Sequence, residues 1–122
     1  MAPAAPIPSA ISEAKTVFIS NTARMEWGQA RVYNEFYAAL QAAGKYRLVS
    51  SPSDADLVFE LEHAYSRENG NELDVVIYDR KTHYILWKIF SEVGTCTLKS
   101  GCEKALDRAV DNLVHDLLLL KN

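Results

Sequence analysis

The residues best suited to chemistry are two cysteines in the segment Gly94-Thr-Cys-Thr-Leu-Lys-Ser-Gly-Cys102. In an oxidising compartment, Cys96 and Cys102 could form a small disulfide that clamps this loop onto the start of the last helix. A total of two cysteines suits one bridge, and the spacing excludes a Cys-x-x-Cys redox motif. Two alternatives stay open: inert thiols, or a reactive Cys102 thiolate stabilised by the helix N-terminus.

Other polar residues point more weakly to a site. His63, His83 and His115 stand on a strand, in a turn and on a helix, without the paired spacing of metal ligands. Glu60 and Glu62 share one strand face, which could mimic the paired carboxylates of acid–base catalysis. They are more simply the solvent side of a half-buried strand. Because no nucleophile motif or glycine-rich loop accompanies them, we expect a protein without enzymatic activity, metal or other cofactor.

Composition narrows the class of protein further. A chain of 122 residues with 48% hydrophobic and 24% charged residues is typical of one globular domain. The 13 basic residues are scattered among 16 acidic ones, so no basic face suits nucleic acid. The longest apolar run, Leu117 to Leu120, is far shorter than the ~20 residues that span a bilayer. We therefore expect neither a nucleic-acid partner nor a transmembrane segment.

The N-terminal segment differs in composition from the rest. Its first ten residues contain three prolines and four alanines, which predicts a flexible lead-in over residues 1–14 and a single α/β domain over residues 15–122. The segment lacks the features of a signal peptide. It looks like the start of a mature exported protein in which Met1 replaces a removed signal peptide, and an ordinary cytoplasmic tail is the alternative. No cysteine nearby could carry a lipid anchor.

Hydrophobic periodicity predicts the elements that position these residues. A helix from Asn21 or Thr22 ends at Gly44, and Gly28 weakens its first turns, so that it firmly begins near Gln29. The last helix is predicted from a Ser100/Glu103 capping box and an apolar face with intervals of three and four residues. The strands are predicted at residues 15–20, 46–50 and 57–62, and in two hairpin arms at 73–78 and 84–90.

The order β-α-β-β-β-β-α predicts an α+β fold. Strand 1, the helix and strand 2 form a right-handed crossover, so strands 1 and 2 should be parallel and the later strands antiparallel. The simplest solution is a two-layer α/β sandwich with a mixed sheet and both helices on one face. The other face is left for water or a partner. Candidate contact residues are Tyr84, Leu86, Trp87 and Phe90, although the pattern does not decide which alternate set of this strand faces inward.

Three segments carry a resemblance. They are the run from Tyr46 to Leu61, the run from Asp79 to Trp87 and the final helix from Ala105 to Leu117. Together they resemble a group of uncharacterised exported bacterial proteins in which "Y-x-L-V-x-x-x-x-x-A-D-L" and "D-x-x-T-x-x-x-L-W" recur in this order. More distantly the topology is similar to periplasmic domains such as the TolB N-terminal domain, LptE and the CsgG family. The resemblance implies an envelope protein that assembles with something, and it supplies no catalytic residues.

These observations favour a non-enzymatic, periplasmic or secreted domain. It would act through association with an envelope protein or with itself, through the uncovered sheet face and the hairpin edge. The alternative is a binding module for a small apolar or lipid-like ligand, held between the sheet and the first long helix and lined by Trp27, Phe36 and Trp87.

Overall fold

A computed structural model describes residues 6–23 and 29–121 of the chain. Its helices are α1 (Ser9–Glu13), α2 (Gln29–Ala43) and α3 (Lys99–Lys121). Its strands are β1 (Thr16–Asn21), β2 (Arg47–Leu48), β3 (Leu57–Ser66), β4 (Gly70–Asp79) and β5 (Ile85–Gly94). The strands form one five-stranded sheet in the order β2-β1-β3-β4-β5.

The sheet is mixed, as the sequence predicts. β1 is parallel to both β2 and β3, whereas β3, β4 and β5 form an antiparallel meander. Both long helices cover the same face of the sheet, so the two-layer α+β architecture is confirmed. The second face carries no helix among the described residues.

The core lies between the sheet and the long helices because each contributes one apolar face. Val32, Phe36 and Leu40 recur every four residues along α2 and are buried. α2 ends where Gly44 takes a positive φ of 68°, the left-handed conformation that favours glycine after a helix. On α3 the predicted face is buried throughout; it comprises Leu106, Ala109, Val110, Leu113, Val114, Leu117 and Leu120. From the sheet, alternate residues such as Leu57, Phe59 and Leu61 complete the core.

The prediction of a flexible lead-in over residues 1–14 is wrong for its second half. Ser9–Glu13 forms α1, and Ile11 is 0% exposed within the core. The helix is also tied down by polar contacts, because the Lys121 ammonium donates to the carbonyls of Ser12 and Ala14. The sequence pattern did not predict this helix because three prolines and several small residues surround a single isoleucine. Burial of that isoleucine nevertheless offsets the conformational entropy that the short segment loses when it becomes ordered. Residues 1–5 lie outside the described residues.

Two smaller expectations also differ from the structure. β2 is shorter than residues 46–50 because only Arg47 and Leu48 pair with β1 before the chain turns at Ser51. The Ser100/Glu103 capping box does not form, since α3 already begins at Lys99 and Ser100 lies within the helix. Glu103 instead pairs with Arg31 of α2 at 2.8 Å. The first turns predicted for the helix before Gln29 fall in residues 24–28, outside the described residues.

The burial of Ile11 predicts that α1 contributes to stability. Replacing Ile11 with alanine should lower the free energy of unfolding by about 3 kcal/mol, because it leaves a cavity in a fully buried site. Urea denaturation measures this change. The matched control is Ile7→Ala, which removes the same atoms from a side chain that is 40% exposed and should change stability by less than about 0.5 kcal/mol. Equal effects of the two substitutions would contradict the placement of α1 in the core.

Candidate functional site on the open sheet face

The aspartates of the two sequence motifs hold the fold together. The Asp56 carboxylate accepts hydrogen bonds from the backbone N–H groups of Lys15 and Thr16 at 2.9 and 3.2 Å, which joins the start of β3 to the start of β1. These bonds lower the pKa of Asp56. Asp79 accepts from the hydroxyl and the backbone N–H of Thr82 at 2.6 and 2.8 Å, and these bonds lower the pKa of Asp79 in the same way. Both carboxylates are occupied by structural bonds.

The tyrosine of the first motif is equally structural. Tyr46 is buried, and its ring packs edge-on against Phe59 with 5.4 Å between the centroids. Its hydroxyl donates to the Ile11 carbonyl at 3.4 Å, and the Lys121 ammonium lies 4.9 Å from the ring centroid. Burial raises the pKa of Tyr46 to about 12. Tyr46 therefore connects α1, β3 and the end of α3, and it is not available for chemistry.

The cysteines are paired at disulfide distance. Cys96 and Cys102 are bonded with 5.4 Å between their Cα atoms, which joins the loop after β5 to the first turn of α3. Beside them, Arg31 makes a two-pronged contact with Asp107, with N–O distances of 3.0 and 2.8 Å, and this contact lowers the pKa of Asp107. The disulfide and the ion pairs together fix the start of α3 against β5 and α2.

Carboxylates collect on the face of the sheet that no described helix covers, which we call the open face. Alternation along the strands and the strand register place five carboxylates there, which we call the carboxylate patch: Glu60, Glu62, Glu72, Asp74 and Glu92. Glu62 lies opposite Asp74, and Glu72 lies opposite Glu92. Like charges on facing positions repel, so the patch has a cost in the isolated protein.

Asp74 is the most unusual member of the patch. It stands on β4, an internal strand between β3 and β5, and only 3% of its surface is exposed although none of the described helices lies over it. Lys88 approaches its Oδ2 atom at 3.5 Å. Its Oδ1 atom is buried and has no hydrogen-bond partner among the described residues. An unsatisfied buried acceptor costs about 1–3 kcal/mol, and more when it is charged.

Crowding of the carboxylates changes their protonation. The hydrogen bond with Asp74, with burial and the charge of Asp74, raises the pKa of Glu72 from 4.5 to about 7. Glu72 can donate this bond only while it holds a proton. Burial and the neighbouring Glu60 also raise the pKa of Glu62. The patch therefore gains negative charge as the pH rises toward 7.

The apolar part of the open face includes one of the predicted contact residues. Phe90 lies opposite Asp74 and is 57% exposed, and Tyr84 is 72% exposed at the hairpin end. Leu86 and Trp87 are half-buried and pack against the core, so they offer less surface than the sequence predicts. These differences in exposure arise from an irregularity in the β4–β5 register between Ile77 and Tyr78. It shifts which side chains of β5 point to the core and which to the open face near the hairpin turn.

The remaining candidates are dispersed. The His63 ring bonds to the Asn71 amide oxygen at 2.8 Å, His83 lies in the hairpin turn with a φ of 64°, and His115 is exposed on α3. Within residues 6–23 and 29–121, no group of three or more potential ligands is placed to hold a metal ion. In the described helices, no stretch is long and apolar enough to cross a membrane.

Two of the three residues expected to line a ligand cavity lie within the part of the chain that the structure describes. Phe36 is fully buried within the core, and Trp87 packs against that core. Trp27 lies outside the described residues. The space between α2 and the sheet is therefore filled where Phe36 stands.

Sequence reasoning found Glu60 and Glu62 but missed their neighbours from β4 and β5. Glu72 and Asp74 alternate with the buried residues Leu73 and Val75, which signals that both face away from the core. Their closeness to Glu62 depends on the strand register, and only the fold supplies that register. The position of Glu92 on β5, opposite Glu72, likewise depends on the strand register.

The chain is similar in fold to several proteins of known structure. No protein-family model and no curated protein matches it. A DUF4136 family protein from Bacteroides thetaiotaomicron has a TM-score of 0.66 at 10% identity, over 94% of this chain and 92% of that one. The PelC dodecamer from Paraburkholderia phytofirmans has a TM-score of 0.60 at 15% identity, over 84% and 86%. An uncharacterized lipoprotein B from Nitrosomonas europaea has a TM-score of 0.50 at 8% identity, over 99% and 89%.

These similarities support the expected resemblance in part. They show that the chain shares the fold of several small α+β domains from bacteria, some of them uncharacterised. The more specific similarity to the TolB N-terminal domain, LptE and CsgG stays a prediction.

The crowded carboxylates predict an unusual pH dependence of stability. Glu72 keeps its proton up to about pH 7 in the folded state but loses it near pH 4.5 when unfolded. Between these values the folded state binds more protons, so the free energy of unfolding should fall as the pH rises from about 5 to about 8. The pKa values of Asp56, Asp79 and Asp107 are lowered in the folded state. These groups therefore stabilise the fold above about pH 4 and lose that contribution only at lower pH, so they do not change the slope between about pH 5 and pH 8.

Urea denaturation of wild type and Glu72→Gln across this pH range checks the assignment. The glutamine resembles the protonated acid, so the variant should lose most of the pH dependence and be more stable than wild type at pH 8. Glu68→Gln, in the exposed turn before β4, is the matched control and should keep the wild-type slope. A slope unchanged in Glu72→Gln would show that Glu72 does not carry the effect.

Proposed function

We propose that this protein is a non-enzymatic domain of the bacterial envelope that acts through protein–protein association, with the open face as its contact surface. The observation that carries the proposal combines a buried Asp74, whose Oδ1 atom has no hydrogen-bond partner among the described residues, with an exposed Phe90 on a face that no described helix covers. A partner that covers this face would bury the phenyl ring and offer donors to the carboxylate.

The geometry of the face suits a protein partner. Phe90 and the strand residues around it form a broad surface, at one end of which lies a shallow depression of about 560 Å³ lined by Val58, Glu60, Tyr78 and others. Flat surfaces with an aromatic residue beside polar groups are typical of protein interfaces. Small ligands instead prefer concave, mostly apolar cavities, and Phe36 already fills the place proposed for one.

The compartment is part of the proposal. One protein of the same fold is called a lipoprotein, and the resemblance in the sequence motifs points to exported proteins. The Cys96–Cys102 pair is a feature that persists in oxidising compartments and is rare in the cytoplasm. Another protein of the fold is a dodecamer, so association with further copies of the chain is one form that the contact could take.

Site-specific photo-crosslinking in the native cells tests the contact surface. A photoreactive phenylalanine analogue at position 90 should give one crosslinked product of defined mass, because that position lies at the proposed contact. The matched control carries the analogue at position 108, where Arg108 is exposed on α3, and should give no such product. Products of equal yield from both positions, or none from position 90, would refute the open face as the contact.

Redox trapping tests the compartment separately. Rapid alkylation of intact cells should leave Cys96 and Cys102 unmodified until a reductant is added, because an exported protein meets an oxidising environment. Mass spectrometry of the purified protein measures the modification, and the same chain directed to the cytoplasm is the control. Complete alkylation of both cysteines before reduction would overturn the envelope location, whatever the result of the crosslinking.

A further inference from the structure

One oxygen of Asp74, the Oδ1 atom, lacks a hydrogen-bond partner among the described residues. That atom is buried, and the Lys88 ammonium stands 3.5 Å from the other oxygen. Native proteins satisfy nearly all of their buried polar atoms. Glu72 can serve as a donor only while it is protonated. A cation brought by a ligand is the second way to satisfy Asp74.

The carboxylate patch distributes its charge along strands. On β3 and β4 its members stand at alternate positions, which are roughly 7 Å apart along a strand, and neighbouring strands are about 5 Å apart. Among the described residues, no three of its carboxylates converge on a point that could hold a metal ion. Such a spread suits several cationic groups at the spacing of side chains on an extended chain.

The apolar neighbour narrows the occupant further. Phe90 is directly opposite Asp74 and largely exposed, so an occupant that covers Asp74 also meets the ring. A metal ion or a small polyamine would leave the ring in water. A second copy that packed face to face would set carboxylates against carboxylates, which is unfavourable. A polypeptide with cationic and apolar side chains satisfies both the charge and the ring.

We propose that the open face binds an extended segment of a partner protein that carries lysine or arginine beside apolar residues. This inference rests on the proposed function and adds the chemistry of the partner. Lysine or arginine side chains would reach the carboxylate patch, and an apolar side chain would cover Phe90.

Peptide titration tests the chemistry with defined probes. In three short peptides of equal length, alternate positions hold lysine, serine or glutamate together with one valine, so that these side chains share one face of the extended chain, and ¹⁵N NMR follows the backbone amides of the full-length protein. The lysine peptide should bind at least about tenfold more tightly than the serine peptide, and its binding should weaken with added salt. The amides that shift should include those of Asp74 and Phe90. Equal binding of the lysine and serine peptides would overturn the inference.

Matched charge variants show whether the carboxylate patch is responsible. At pH 8, above the raised pKa of Glu72, Glu62→Gln/Glu72→Gln/Glu92→Gln removes one charge from each of β3, β4 and β5, and binding of the lysine peptide should fall about tenfold or more. The control Glu35→Gln/Glu68→Gln/Asp111→Asn removes the same number of charges elsewhere and should bind like wild type. Equal losses in both variants would mean that net charge alone acts, which overturns the inference. Saturable shifts with Mg²⁺ or Ca²⁺ that the lysine peptide does not displace would overturn it in favour of a metal site.

The two proposals can fail separately. If the patch variant still gives the same crosslinked product from position 90 in cells, with undiminished yield, the proposed function stands and the charge inference fails. If position 90 gives no product in wild type or in the variant, the proposed function itself fails. Loss of the product in the patch variant alone supports both.

Discussion

The structure depends on one constraint, which is that two long helices cover only one face of a five-stranded sheet. Every strand residue is thereby assigned by alternation either to the core or to the open face, and the core takes Leu57, Phe59 and Leu61 from β3. On the open face, β4 lies between two long strands, so their side chains shield its residues from water. Asp74 and Val76 are buried for this reason, although none of the described helices lies above them. A charged residue at such a position is desolvated by the sheet itself.

The carboxylates of this protein fall into two groups according to what donates to them. Asp56 and Asp79 accept bonds from backbone N–H groups and a hydroxyl, which lower their pKa values and fix the ends of β3 and β4. Burial and the neighbouring Glu60 raise the pKa of Glu62, and the hydrogen bond with Asp74 together with burial raises the pKa of Glu72. The first group explains the aspartates of the recurring motifs as structural. The carboxylates of the second group crowd one another on the open face and tie no strand end, so we seek function there.

The sequence predicts those elements of the fold that are determined by residues adjacent in the chain. α3, Gly44 and the antiparallel hairpin were predictable because helical periodicity, a left-handed glycine and a short polar turn are properties of a few adjacent residues. α1 was missed because its burial depends on one residue, Ile11, and on contacts with Tyr46 and Lys121 from distant parts of the chain. The carboxylate patch was only half found for the same reason. Glu60 and Glu62 share a strand, whereas their neighbours Glu72 and Asp74 come from another strand through a register that no local pattern fixes.

A negatively charged open face also has a simpler explanation, which is that charge keeps an uncovered sheet soluble. That explanation accounts for exposed carboxylates such as Glu92, because they are hydrated and cost little. It does not account for Asp74, since a carboxylate that is almost fully buried contributes little to hydration and leaves one oxygen unsatisfied. Nor does solubility favour Phe90, a largely exposed aromatic ring, at the facing position. Both features oppose solubility, and the proposed association would relieve both with one occupant.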